Sequence, residues 1–212
     1  MGMESPKIPR IMTERLALEP LMDSDAPGLV RIYQSDGVLR YFPSRPAGSP
    51  DEQLARAGRF IAGQQAHWEK YGYGNWGIFE ARSAEAASRD GPRSGNLIGW
   101  VGLQYLPELD QTEVGFLLER LAWGRGFATE AARAALADGF GRVGLTEMIA
   151  LVHPENAASR RVIEKCGLAY VDTLQLWGME LMRFRIENAA RNAAQSGGSE
   201  CANDGVVDIH PG

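Results

Sequence analysis

TEVGFLLERLAWGRGFATEAARAAL, residues 112–136, decides how this chain is read. Its opening, TEVGFLLE (112–119), reads as a strand. Its close is alanine-rich and reads as a helix. Between them stands Trp123-Gly124-Arg125-Gly126-Phe127-Ala128-Thr129-Glu130. Gly124 and Gly126 carry no Cβ, so their amides can face a ligand closely and take unusual dihedrals. A helix also begins with four N–H groups that lack intrahelical acceptors. Those donors and the positive helix end suit a diphosphate, the dipole alone contributing roughly 0.3–2 kcal/mol. The same glycines suit a tight strand-to-helix turn with no ligand, and the short motif leaves both readings open. A dinucleotide fingerprint does not fit, because Thr129 stands at the third glycine position. A P-loop does not fit either, since no Gly-Lys-Ser/Thr follows.

Outward from this stretch the chain alternates strands and helices. RLALEP (15–20) is a strand ended by Pro20, and 23–34 is a helix with Asp23 as its expected N-cap. Three prolines break up 41–50. A helix over 49–72 opens on Ser49, with Pro50 behind it and Glu52 completing a capping box. Strands follow at 75–81, 96–106 and 112–119, then the 123–144 turn and helix. A strand at 147–153, a helix at 155–167 and a hairpin of 168–176 with 178–186 complete the order. Meanders mixed with crossover helices predict a mixed α/β (α+β) sheet with helices on both faces.

Composition narrows the function classes. The 212 residues carry 22 Lys plus Arg against 27 Asp plus Glu, a net charge of −5. That balance argues against a general nucleic-acid binder. Residues 187–212 hold four acids and one arginine, a net of −3, so residues 1–186 carry −2. This Ala-, Asn-, Gly- and Ser-rich stretch is expected to be a disordered tail, and 1–10 a flexible N-terminus. ARSAEAASRDGPRSG (81–95) reads as a long hairpin connection. The two cysteines, Cys166 and Cys201, make no disulfide framework or zinc spacing, and His67, His153 and His210 are far apart. No metal is expected. With neither an apolar run of membrane length nor a leader-like start, no membrane is expected and the cytoplasm is the expected setting.

Four stretches carry a resemblance: TERLALEPL (13–21), the opening 112–136 segment, IALVHPENAASRRVIEKCGL (149–168), and the closing hairpin ending RFRI. Together, over roughly 11–186, the chain resembles the GNAT superfamily of acetyl-CoA-dependent N-acetyltransferases. Within it, the chain is similar to the RimJ/RimL-like branch, which acetylates ribosomal-protein N-termini, and to relatives acting on small amines. The resemblance implies a mostly antiparallel sheet splayed into a V. It also implies acetyl-CoA as co-substrate, and an amine acceptor that is a protein N-terminus or a small molecule. The family's loop falls on 123–128, with Trp123 at its first polar position. By resemblance the Gly124, Arg125, Gly126, Phe127, Ala128 and Thr129 segment binds the diphosphate, its amides doing so from Arg125 to Ala128. Backbone groups of Phe116, Leu117 and Leu118 would pair with pantetheine like an added strand. Asn156 and Ser159 match the family's Asn-x-x-Ser/Ala, Asn156 toward pantetheine. Ile163 stands where many relatives carry a thiolate-protonating Tyr.

Amine attack on a thioester needs a neutral amine, a polarised carbonyl and a home for the thiolate. At pH 7 neutralisation costs about 1 kcal/mol for an α-amine and about 4.6 kcal/mol for a lysine-type amine. Glu113 is the candidate base, acting directly or through water, and also borders the acceptor. The other reading of Glu113 is a solvated strand carboxylate. A backbone N–H near Leu117 or Leu118 is the candidate oxyanion donor, worth ~3 kcal/mol by analogy. Ser159 could stabilise the thiolate or simply bond its own helix terminus. Arg160 and Arg161 could reach the 3′-phosphate, Arg161 being the preferred one. Tyr41 and Arg45, in the proline-rich loop, would border the acceptor. His153, Cys166, Trp68, Trp76 and Trp100 read as structural. With no activated Cys or Ser dyad, direct attack in a ternary complex is expected over a covalent route. The alternative function is a non-catalytic acyl-CoA-binding regulatory module. Either a monomer or a homodimer fits.

Overall fold

Leu16 and Leu18 enter one apolar cluster while Ala17 between them enters another. That period-two division, repeated along the strands, requires a sheet covered on both faces. The computed structural model describes residues 8–42, 48–81 and 95–188, and the elements lie there. They run β1 (Ile11–Met12), β2 (Leu16–Pro20), α1 (Ala26–Gln34), α2 (Pro50–Tyr71), β3 (Asn75–Glu80), β4 (Leu97–Leu106) and β5 (Gln111–Leu118). Then come α3 (Phe127–Asp138), β6 (Glu147–Val152), α4 (Ala157–Lys165), β7 (Ala169–Leu176) and β8 (Met179–Glu187). The strands form one sheet in the order β1-β2-β3-β4-β5-β6-β8-β7. Every neighbouring pair is antiparallel except β5 with β6. The expected mixed sheet is therefore present.

Helices cover both faces. On one side Phe127, Ala131, Ala132 and Ala135 of α3 and Ile163 of α4 pack with Leu103, Val114, Leu118, Met148 and Phe184 of the sheet. On the other, Leu29 and Ile32 of α1 and Ala57 and Ile61 of α2 pack with Ala17, Phe79, Leu97 and Leu117. Trp68 and Trp76 are buried core residues with rings 4.9 Å apart, edge to face. The Ser49 cap forms with both bonds of the box: Ser49 Oγ takes the Glu52 N–H at 3.3 Å, and Glu52 takes the Ser49 N–H at 2.6 Å.

Two local expectations change. Asp23 does not cap α1; it opens a 3₁₀ turn, Asp23–Asp25, and the Asp25 carboxylate instead takes the Met22 N–H at 2.8 Å. Pro27 explains the delay, since it has no N–H to give and sits readily in a first helical turn. The helix after the glycine loop is α-helical only to Asp138 and finishes as a π-turn over Gly139–Val143. The N-terminal residues 1–7, most of the 81–95 connection and most of the expected tail lie outside the described residues.

Candidate active site

The sheet is continuous on either side of the β5–β6 seam and nearly unpaired at it. β5 pairs with β4 throughout, from Gly99↔Leu118 to Leu106↔Gln111, and β6 pairs with β8 from Glu147↔Glu187 to Val152↔Met182. Between β5 and β6 the register holds at Glu113↔Ile149 alone. Below that point side chains close the seam: Gln111 Nε2 donates to Glu147 Oε1 at 3.0 Å, and an Arg183 NH donates to Gln111 Oε1 at 3.0 Å. Above it no further backbone register joins the two strands, and this unpaired stretch is the V.

Glu113 sits in the fork. Its carboxylate accepts the Leu151 N–H at 3.3 Å, so the side chain supplies an acceptor where the ladder stops. Burial in the fork raises its pKa from 4.5 to about 7, against the lowering effect of that one N–H. A carboxyl with this value exchanges a proton easily near neutrality, which is what a general base requires. Glu113 shares a sheet face with Gly115 and Leu117, the face covered by α1 and α2. The Trp100 ring lies over Gly115, where an added Cβ would come within 3.6 Å of it.

The register assigns the free edge of β5. Glu119 N–H donates to Ile98 O of β4 at 2.8 Å. Backbone direction alternates along a strand, so the polar groups of Leu117 point the same way. The Leu117 carbonyl confirms it, lying 2.2 Å from where a Cβ on Gly99 of β4 would stand. Phe116 and Leu118 thus direct their N–H and C=O into the V, and Leu117 does not. Leu117 is a correction to the pantetheine-pairing set and to the oxyanion candidates, because β4 already claims its main chain. The Leu118 carbonyl accepts the Trp123 indole N–H at 2.8 Å. Trp123 therefore keeps a donor at the polar position of the loop.

The loop itself has the form that an anion site needs. Gly124 (φ 74°) and Gly126 (φ 82°) are both left-handed, a conformation costly for any residue with a Cβ. Gly126 caps α3 with no side chain involved, and Glu130 N–H is the first to find a helical acceptor, Gly126 O at 3.1 Å. The amides of Phe127, Ala128 and Thr129 are left facing outward at the positive end of the helix. The Phe127 side chain is buried, so this residue offers only its amide. The Arg125 guanidinium is tied to Glu80 and stacks 4.3 Å over the Phe127 ring. Arg125 too can contribute only its main chain while that pairing holds.

The second wall of the V is the turn from β6 into α4. Asn156 caps α4, its Oδ1 accepting the Ser159 N–H at 3.1 Å, which leaves the amide NH₂ of Asn156 as a donor. Ser159 is half-buried, and its hydroxyl has no partner among the described residues. Ile163 is buried in the core and offers no proton. Arg160 pairs with Glu164 at 2.8 Å, whereas Arg161 is exposed and has no ion pair among the described residues. Tyr41 reaches this turn from the α1–α2 connection. Its hydroxyl donates to Glu155 O at 3.2 Å and its ring stacks on His153 at 5.1 Å. Arg45 lies outside the described residues. Cys166 packs against α3, its thiol 3.8 Å from Thr129 O and pushed up by burial, which suits a structural residue.

Residues 15–169 match the acetyltransferase (GNAT) domain family. The chain belongs to that family. It is 31% identical over 171 residues to the uncharacterized protein YkkB of Bacillus subtilis, covering 79% of this chain and 90% of YkkB. The acetyltransferase from Agrobacterium tumefaciens strain C58 superposes with a TM-score of 0.68 at 26% identity, covering 85% of this chain and 95% of its own. The ribosomal L7/L12 α-N-protein acetyltransferase RimL, solved with coenzyme A, superposes with a TM-score of 0.63 at 13% identity. It covers 84% of this chain and 96% of its own, and shares the fold. The chain is thus a GNAT acyltransferase, and GNAT acetyltransferases use acetyl-CoA. Among the described residues no helix is long and apolar enough to cross a membrane, and no acid, His or Cys cluster could hold a metal.

Sequence reasoning passed over Thr13 and Arg15, which meet the glycine loop in space. They belong to a stretch quoted for the resemblance, but no local pattern names a partner more than a hundred residues away.

Proposed function

We propose that this chain is an acetyl-CoA-dependent N-acetyltransferase whose domain spans about 11–186, and that an amine attacks directly in a ternary complex. One observation carries the reading. The fork of the V holds a carboxyl with a pKa of about 7, and the same opening ends at three free helix amides. Those amides, with the left-handed glycines, fit a diphosphate; the edge of β5, with both polar groups of Phe116 and the Leu118 N–H facing the opening, fits pantetheine.

Acetyl-CoA supplies a thioester carbonyl: the amine nitrogen forms a bond to its carbon, the C–S bond breaks, and CoA leaves as a thiolate. Glu113 takes the proton that the amine must lose, directly or through a water in the fork. The Leu118 or Phe116 N–H faces the opening and can receive the carbonyl oxygen. The half-buried Ser159 hydroxyl is the donor toward the thiolate, and the Asn156 NH₂ is the donor toward pantetheine. Arg161, the arginine of α4 with no ion pair among the described residues, is set for the 3′-phosphate. Tyr41 borders the acceptor on the α1–α2 side, and Arg45 is assigned to the same loop.

The acceptor is a primary amine, either a protein N-terminus as in the RimJ/RimL-like branch or a small molecule. The test is release of free thiol from acetyl-CoA across N-terminal peptides, polyamines, amino acids and aminoglycosides. Turnover on one class supports the reading and names the acceptor. A second reading, a non-catalytic acyl-CoA-binding module, draws on the buried Ile163 where a proton donor is common in relatives. Binding of acetyl-CoA with no turnover on any amine would favour it.

A further inference from the structure

We propose that Arg15, with Thr13, neutralises and restrains Glu130 so that the first turn of α3 can receive a diphosphate; Arg15 and Thr13 are positioning residues, and Glu130 is the charge they restrain. The inference rests on residues 124–129 being the diphosphate site.

Glu130 lies in the first turn of α3. Its carboxylate stands where negative charge is welcome to the helix dipole, and where it would compete with a diphosphate. Every part of that carboxylate is engaged by the segment between β1 and β2. Thr13 Oγ1 donates to Oε1 at 2.6 Å and the Arg15 N–H donates to Oε1 at 2.8 Å. Arg15 Nε donates to Oε2 at 2.7 Å, and a second guanidinium nitrogen lies 2.6 Å from the same oxygen. Burial raises the Glu130 pKa, but the bonds from Thr13 and Arg15 outweigh it and hold the group below the ordinary value. The carboxylate is held in its charged form, and that charge is spent on the Arg15 guanidinium.

The same guanidinium also shapes the loop. Its remaining nitrogen donates to Arg125 O at 2.9 Å, the carbonyl immediately before Gly126. The nitrogen beside Oε2 lies so close to the loop that a Cβ on Gly126 would come within 3.4 Å of it. The guanidinium carbon sits 4.9 Å over the Phe127 ring, on which Arg125 also stacks. One side chain thus fixes the peptide before the helix, screens the acid within it and packs on its first residue.

The charges make the roles of the two partners unequal. Replacing Arg15 removes the counter-charge at Oε2, leaving a carboxylate held only by Thr13 Oγ1 and a backbone N–H beside the anion site, and frees the loop. Replacing Glu130 leaves a cation there, which favours an anion. A salt bridge that only stabilised the fold would lose the same whichever partner went. Acetyl-CoA affinity is therefore measured by calorimetry for the full chain and for Arg15→Met, Glu130→Gln and the double variant, with circular dichroism to check folding. Steady-state kinetics on the amine that the chain turns over gives KM and kcat. Arg15→Met is expected to weaken binding and raise the acetyl-CoA KM about tenfold, with kcat within twofold. Glu130→Gln should change affinity by less than threefold, and the double variant should recover most of the loss. If Arg15→Met does not fold, Arg15→Lys serves: it keeps the charge, loses the fork and should weaken binding measurably but by less than tenfold, with kcat within twofold, whereas unchanged affinity would overturn the proposal. Equal losses from both single variants, or a kcat effect without a KM effect, would overturn the proposal while leaving the CoA site standing. Failure of the unaltered chain to bind acetyl-CoA would instead overturn the site reading, and this inference with it.

Discussion

Glu113→Gln should make the protein's stability less dependent on pH in a window set by the fork. The Glu113 carboxyl has an ordinary value of 4.5 and a folded value of about 7. Between those limits the folded state holds its proton more tightly than the unfolded chain does. The unfolded state then binds fewer protons, so stability falls as pH rises through the window. Below it both states are protonated and the group contributes nothing. Above it the full cost of an ionised carboxylate in the fork is present. The two limits differ by about 2.5 units. At ~1.36 kcal/mol per unit this gives a ceiling of roughly 3.4 kcal/mol. Water entering the open V screens the charge, so roughly 1–3 kcal/mol is the expected range. Glutamine matches the protonated acid in shape, can still accept the Leu151 N–H and cannot ionise. Urea unfolding of both proteins at pH 5 and pH 8 measures the effect, and the difference between them cancels every other titrating group. The unaltered protein should lose 1–3 kcal/mol relative to the variant over that span, with unchanged denaturant slopes. Parallel pH profiles would refute the placement of Glu113 in a desolvated fork. On the catalytic side the variant should lose ~10²–10⁴-fold in kcat/KM if the carboxyl is the base.

Gly126→Ala puts a Cβ on a residue at φ 82° and against Arg15. It should cost ~1–2 kcal/mol in urea unfolding and weaken acetyl-CoA binding about tenfold by calorimetry. Trp123→Phe removes the N–H that satisfies the Leu118 carbonyl, and unfolding should register a loss of about 1 kcal/mol. His67 lies with Nδ1 2.7 Å from Tyr73 O and with Nε2 accepting the Tyr105 N–H at 3.1 Å, which requires the neutral ring. Burial holds its pKa below 6.5, aided by Lys70 and opposed by the Tyr73 carbonyl. The unfolded chain then takes up the proton first, so this contribution should be intact above pH 6.5 and fade as pH falls below it. Thermal melts of the unaltered protein and of His67→Gln from pH 7 to 5 should show the loss as a difference between the two, the variant lacking it.

Local chemistry made much of this structure readable. Ser49 and Glu52 announce a capping box, and Gly124 with Gly126 announces a turn that only glycine makes easily. The V itself was implied by resemblance, because the seam depends on where β5 and β6 stop pairing and no single residue encodes that. Leu117 shows the limit most clearly. Neighbouring residues of β5 look alike in sequence, yet antiparallel register gives Leu117's polar groups to β4 and those of Phe116 and Leu118 to the opening. Asp23 failed as a cap because the prolyl ring at Pro27 and the Asp25 carboxylate offered a different start. Thr13 and Glu130, 117 residues apart, meet only after the sheet has formed.

The most direct test of the account follows the backbone amides by ¹H–¹⁵N NMR while acetyl-CoA is added. The largest shifts should fall on Phe127, Ala128 and Thr129 and on Phe116 and Leu118, with Leu117 much less affected. Saturable shifts confined to residues away from the β5–β6 opening and the start of α3, or no shifts at all, would contradict the assignment of this V as the acetyl-CoA site.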